Sequence, residues 1–580
     1  MIDKPQAASR KPQAASRKPQ AASRKPQAAS RNSRSLSGNR RLLLFAGRTS
    51  QALARLRYDV EPLFSPDPRL TIAYTLIPGS RFESGAPDFA HRNDIELLPW
   101  STARTLAPDL VVTASPDPCL YEADAPVLTL PHGAGHNRLR PELSGVSGLS
   151  PEQIQGPEGQ VPDFMALPGP AALTRLAIDC PAAVPHAEVC GDVCLERLRA
   201  STAQRDAYRE ALGVEGRNLI LLSSSWDATA LGRKAETLPE RLHAELPLDD
   251  FALAYIPHPN DDLTAPSRLT GLLHPQLQNG LIMIPPDEGW RAALVAADCI
   301  IGDHGSVTFF GATIGLPVLL ATFGFANMPP ELPLARFGRT APRFNQAKPA
   351  APQLREAIAR GPVEFDYAAA LAEPTPGPAT RLATAAYRLL NLAPPAPPAP
   401  PAVPLPAQLP QCRPTYSWRW APNGSNGTRY PISIPTTIPD YRDGHLVADT
   451  ATPDPRLRNA ANVILSHTQP TTVDKAITAT RTLLQRHPIS RVASTRIKAP
   501  AYNTTSPQTD DQAHAIVITR DGPAFQVEAN ATQLDAIPSA IYDHLVRGTL
   551  NPTPEIPDLT KVLAQTFNPP PTLTPIENQP

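Results

Sequence analysis

The chain is predicted to be α/β: two Rossmann-like, doubly wound domains facing a common cleft, followed by a proline-rich linker and a small α+β domain. Three observations carry this. Short apolar runs alternate with helix-compatible segments from residue 41 to about residue 392, the pattern of a parallel sheet with crossover helices. Each half contains an apolar run that ends in a polar, glycine-bearing loop. Between 393 and 410 the sequence APPAPPAPPAVPLPAQLP interrupts any regular element, so a separate unit follows it.

Taken in order, residues 4–31 are four copies of Lys-Pro-Gln-Ala-Ala-Ser-Arg. A proline in every copy forbids a coiled coil, and eleven Lys or Arg against the single acid Asp3 precede Leu42. Residues 1–40 therefore read as a disordered basic arm. Its functional reading is a handle for an anionic partner, and its alternative is a repeat expansion without a role of its own. Strands are expected at 41–46, 70–76, 110–114 and 127–130, giving a first domain at 41–185. A second domain at 186–392 has strands at 219–223, 251–256, 281–284, 299–301 and 318–320, with helices at 196–212 and 289–297. Closing helices are expected at 351–360 and 378–392. Beyond the linker at 393–411, a domain at 412–567 holds a hairpin (515–519 with 525–529) and amphipathic helices at 473–486 and 534–546. Residues 568–580 read as a loose tail.

Composition narrows the function classes. The 580 residues carry a net charge of +0, which removes any whole-chain case for nucleic acid or an anionic membrane. No apolar stretch approaches the roughly 18 residues of a membrane span, and a cytoplasmic protein is expected. Six scattered cysteines without paired CxxC spacing suggest neither a disulfide framework nor a zinc site. No metal or cofactor is called for.

The segment AADCIIGDHGSVTFFGATIGLPVLL, 296–320, carries the most chemistry. An apolar strand runs into Gly302-Asp303-His304-Gly305-Ser306 and then a helix, whose unpaired first-turn amides favour an anion. Ser306 is the expected N-cap and Gly315 the expected residue after the C-cap. Asp303 can orient His304 or take a sugar or polyol hydroxyl, while Ser306 and the amide of Val307 hold a phosphate; an ordinary capping loop is the alternative. In the first half, VLTLPHGAGHN (127–137) delivers His132 to a strand's carboxyl end beside Gly133, where a general base or a turn-stabilising histidine both fit. The stretch YIPHPN places His258 similarly. Glu288, in Pro-Asp-Glu-Gly-Trp before a helix, reads as a cap or a ligand contact.

These residues carry a resemblance. GDHGSVTFFGATIGLPVLL, LPHGAGHNR and YIPHPN, in this order, resemble motifs of the CDP-glycerol glycerophosphotransferases of teichoic acid synthesis. Over residues 41–390 the resemblance implies a GT-B fold with a nucleotide between its two domains. It also implies His132 as base, His258 as a phosphate-contacting histidine, and Asp303, Gly305 and Ser306 as a donor loop. The chain departs from the family at Pro131, at Ile256 in place of an arginine, and at His304-Gly305. Loss of that arginine removes a bidentate phosphate grip. The stretch around GDVCLERLRASTAQRDAYREALGV and LILLSSSWD is also similar to actinobacterial chains, some labelled translation initiation factor 2. That label implies a GTPase, and the chain contains no GxxxxGK[ST].

The leading expectation is an enzyme moving a phospho-polyol or sugar from a CDP- or UDP-linked donor to an acceptor hydroxyl. His132 and His258 are its catalytic candidates. Gly133, Asp303, His304, Gly305, Ser306, Val307 and Glu288 are its substrate contacts. A nucleotide-sugar epimerase of the same fold, or a non-catalytic nucleotide-binding or assembly protein, are the alternatives.

Overall fold

A computed structural model describes residues 40–80, 83–260, 268–395, 402–403, 410–423, 426–433, 444–498 and 512–576. The basic repeat arm lies outside these residues, as does most of the proline-rich linker.

The first domain is built on a parallel sheet of β1 (Arg41–Gly47), β2 (Leu70–Leu76), β3 (Leu97–Pro99), β4 (Leu110–Thr113), β5 (Val127–Thr129), β6 (Phe164–Leu167) and β7 (Ala187–Val189), in the order β3-β2-β1-β4-β5-β6-β7. The second uses β8 (Asn218–Ser223), β9 (Phe251–Ile256), β10 (Ile282–Met283), β11 (Cys299–Gly302) and β12 (Val318–Leu320), in the order β10-β9-β8-β11-β12, again all parallel. Both sheets therefore have a topological switch point, at β1/β4 and at β8/β11, where open α/β sheets hold ligands. Because both faces are covered, the central strands are continuous apolar runs rather than alternating ones. Leu219, Leu221 and Ile300 pack toward Phe309 and Phe337, while Ile220, Leu222 and Ile301 pack toward Leu242 and Leu354. This is the expected GT-B-like pair of Rossmann-like domains.

Several expectations are corrected. The helix expected over 196–212 is two, Val193–Ala200 and Arg205–Leu212, joined by a turn at Thr202–Gln204. Ser201 is the C-cap of the first, and its hydroxyl bonds back to the Arg197 carbonyl. The Pro378–Leu389 helix, assigned by sequence to the second domain, packs Leu382, Ala386 and Tyr387 against Leu43 and Phe45 of the first sheet. Strand β7 likewise moves the boundary past residue 186.

The third domain is a mixed sheet of β13 (Ser417–Asn423), β14 (Asn426–Pro431), β15 (His445–Asp449), β16 (Val463–Ser466), β17 (Val492–Ile497), β18 (Gln512–Thr519), β19 (Ala524–Asn530) and β20 (Thr572–Pro575), ordered β14-β13-β15-β16-β17-β18-β19-β20. The Val473–Arg486 helix covers one face; Ala531–Val546 and Ile556–Thr566 cover the other. Strand β20 corrects the expected loose tail: it pairs antiparallel with β19, and Leu573 packs on that domain's core. His467 sits between Asp449 (2.6 Å) and Asp535 (3.1 Å), whose hydrogen bonds hold its pKa up at about 9 and make it a charged tie at neutral pH.

The linker is no free spacer where it is described. The Val403 amide donates to Ser201 Oγ at 2.8 Å and its side chain is buried in the second domain's core. Past the linker, the Cys412 amide donates to the Leu212 carbonyl. Asn279, 3% exposed, then clamps the third domain: its Nδ2 donates to the Ser417 and Ile432 carbonyls, and its Oδ1 accepts from the Tyr416 and Ser417 amides. Replacing Asn279 by alanine strands these buried groups, and each pair left unmet costs about 1–3 kcal/mol. Urea unfolding is expected to show the third domain melting before the other two, whereas a single unshifted transition would show that the clamp contributes little.

Candidate functional site

Three loops at strand carboxyl ends converge from the two domains. From the first, β5 runs into Leu130-Pro131-His132-Gly133-Ala134. From the second come the loop after β9, with His258, and the loop after β11, which opens the Ser306–Thr313 helix. The Ala134 amide donates to Ser306 Oγ across the cleft at 3.1 Å. A Cβ at Gly133 would lie 2.5 Å from that oxygen, so only glycine lets the loop come this close. Gln51 Nε2 donates to Asn260 Oδ1 at 2.6 Å, Arg92 pairs with Asp287 at 2.6 Å, and the Leu139 amide meets the Asn327 carbonyl at 2.8 Å. The two domains thus meet around the loops that sequence reasoning singled out.

His132 is exposed and His258 is half-buried. Desolvation, then the positive charge of Arg140, takes His132 down to about 4. Desolvation, then Arg138 and His132, takes His258 down to about 3. Both rings are neutral at pH 7. His258 Nδ1 accepts from the Asn260 amide at 3.1 Å, which leaves the proton on Nε2. His258 is thereby set up to donate a hydrogen bond from Nε2, and neutral His132 carries one unprotonated ring nitrogen.

Gly305, in extended backbone, is the helix N-cap; Ser306 is the first helical residue, not the cap expected from sequence. Ser306 and Val307 are partly exposed, and their amides belong to a first turn with no intrahelical acceptor. Gly315 (φ +98°) follows the C-cap Ile314 as expected.

Asp303 and His304 take different roles from those expected. Asp303, 1% exposed, accepts from the Ser225 amide and hydroxyl, the Leu231 amide and the Gly305 amide at 2.7–3.0 Å, so its acceptor positions are filled and it bolts the loops after β8 and β11 together. It makes no direct bond to His304; Ser225 Oγ, which donates to Asp303, stands between them. That ring, also buried, accepts the Gly324 amide at Nδ1 and donates from Nε2 toward Asp227 (2.9 Å) and Ser225 Oγ (3.1 Å). Glu288 is drawn away to Arg291, in a buried charge cluster with Asp59. Burial raises its pKa, against the pull of Arg291.

Sequence reasoning missed Trp226 and Asp227 after β8 and left Arg138 unassigned. The signal was present: SSSWD directly follows an apolar run at what proves to be the switch point. Among the described residues no group of three or more His, Cys, Asp or Glu is arranged to hold a metal, and no helix is long and apolar enough to cross a membrane.

No protein-family model matches the sequence, and no curated protein matches it. Among solved structures, UDP-GlcNAc 2-epimerase from Neisseria meningitidis bound to UDP-GlcNAc is similar at 14% identity, covering 60% of this chain and 100% of that one, with a TM-score of 0.36. The wall teichoic acid polymerase TagF is similar at 14% identity, covering 61% and 89%, with a TM-score of 0.38. The S. aureus MnaA–UDP co-structure is similar at 12% identity, covering 61% and 98%, with a TM-score of 0.37.

Proposed function

We propose that the cleft binds a nucleoside diphosphate-linked donor and transfers its phospho-polyol or sugar to an acceptor hydroxyl. The observation that carries this reading is the meeting of the His132 loop with the Ser306 helix N-terminus, joined by the Ala134–Ser306 bond. A base and an anion-favouring helix end, from different domains, thereby share one cleft.

Neutral His132 accepts the acceptor's proton as its oxygen attacks. The amides of Ser306 and Val307, together with His258 Nε2–H, stabilise the charge that accumulates on the departing phosphate. No step calls for a metal ligand from this chain. The order of the three sequence motifs supports the same assignment. Calorimetric titration of the full-length chain with CDP and UDP is expected to give saturable binding, and a labelled CDP- or UDP-linked donor is expected to be consumed only when an acceptor polyol is added. Binding without turnover across a donor panel would leave a binding protein; conversion of the donor without an acceptor would favour epimerisation. Absence of nucleoside diphosphate binding at millimolar concentration would refute the reading.

A further inference from the structure

Arg138, at the end of the His132 loop, reaches from the first domain to the second. Its guanidinium lies 3.0 Å from Asp227 Oδ2 and 5.8 Å from the centre of the Trp226 ring. Both partners of this ion pair are about one-third exposed or less, at 32% and 27% of their side-chain surface, so the pair stands at the cleft rather than in a core. The charge of Arg138 also bears on both His132 and His258, lowering the pKa of each.

Asp227 does not depend on Arg138. Its Oδ1 accepts from the Thr229 amide and hydroxyl at 2.8 and 2.6 Å, and its Oδ2 accepts from His304 Nε2 at 2.9 Å. If the guanidinium left, Asp227 would keep three donors.

From this geometry we propose that Arg138 is the residue that grips the anionic diphosphate of the ligand, and that Asp227 is its resting counter-ion, displaced when the ligand arrives. The inference rests on the proposed nucleotide site and assigns the source of its cation. A diphosphate carries more charge than a carboxylate and matches the planar guanidinium fork in bidentate fashion, so the exchange runs toward the ligand. Since the arginine belongs to the first domain and the helix end to the second, a phosphate held between them ties the two domains together.

The test titrates the full-length wild type, Arg138→Gln, Arg138→Lys and Asp227→Asn with CDP, UDP and inorganic pyrophosphate, with a thermal melt of each variant. Arg138→Gln is expected to weaken binding by about 10-fold or more, from the usual worth of charge-assisted bonds. Arg138→Lys is expected to recover part of that loss. Asp227→Asn, which removes the competing anion, is expected to bind more tightly than wild type. A purely structural pair would behave otherwise: both substitutions would lower the melting temperature, and Asp227→Asn would weaken binding. That result, or unchanged affinity in Arg138→Gln, overturns the inference. Should Asp227→Asn fail to fold, the two arginine variants decide it alone. Nucleotide binding that ignores Arg138 sinks this inference and spares the donor reading. Arg138-dependent binding of pyrophosphate without nucleotide does the reverse, and no binding of any probe defeats both.

Discussion

Replacing Asp59 by alanine is expected to destabilise the protein by about 3–5 kcal/mol, the usual cost of removing one partner from a buried ion pair. Asp59 is 1% exposed and meets three arginines: Arg55 at 3.0 Å, Arg197 at 3.2 Å and Arg291 at 2.7 Å. Burial alone would push its carboxyl up, but Arg291, Arg55 and Arg197 together outweigh that and hold it below its ordinary value. Arg55 also pairs with Asp192 at 2.6 Å, whose other oxygen caps the Val193–Ala200 helix. Without Asp59, three buried guanidiniums face one another with only Asp192 and Glu288 to balance them. Urea unfolding of the full-length variant should shift its midpoint far below wild type. A change under about 1 kcal/mol would mean that water or another acid replaces the lost carboxylate.

The cluster also bears on function. Arg55 and Asp59 come from the first domain, Arg291 from the helix after Glu288 in the second, and Arg197 from the segment between the sheets. Their bonds tie the two domains together, as the Ala134–Ser306 bond does at the cleft.

Much of the α/β framework was legible because parallel strands covered on both faces must be continuous apolar runs. Strands 251–256 and 318–320 were readable to the residue for that reason. Strands β3 and β7 were not: Leu97-Leu98-Pro99 is short and ends in proline, and Ala187-Glu188-Val189 carries a charge at a sheet edge. Strand β20 was hidden by its flanking prolines, which suit an edge. The loops with His132, His258 and Ser306 could be found because glycine and proline mark strand ends. Which polar groups face a ligand could not. Asp303 and His304 look like ligand contacts in sequence, yet their partners, Ser225, Leu231 and Asp227, lie more than 70 residues away. Only the pairing of β8 with β11 brings them together. The charge cluster around Asp59 was equally invisible, since each member alone reads as a solvated helix charge and the π-helical turn Leu56–Val60 that carries Asp59 leaves no mark in composition.

Substituting His132 by alanine is expected to lower turnover by about 100-fold or more, the usual contribution of a positioned general base, while donor affinity changes little. The separation follows from the proposed assignment, in which the anion contacts belong to the Ser306–Thr313 helix, His258 and Arg138, whereas His132 serves the acceptor's proton. The pH profile adds an independent check. A base works only when unprotonated, and desolvation with the charge of Arg140 places the His132 pKa at about 4. In the free enzyme, kcat/KM should therefore be flat from about pH 5.5 upward on the acidic side and fall only as pH drops toward 4. A histidine with an ordinary pKa would instead show an inflection near 6.5. Retention of turnover within a few-fold in His132→Ala removes the base from this assignment. An inflection near 6.5 that vanishes in the same variant keeps His132 as the base and shows that solvent around its exposed ring, or an opposing negative charge, restores the ordinary value.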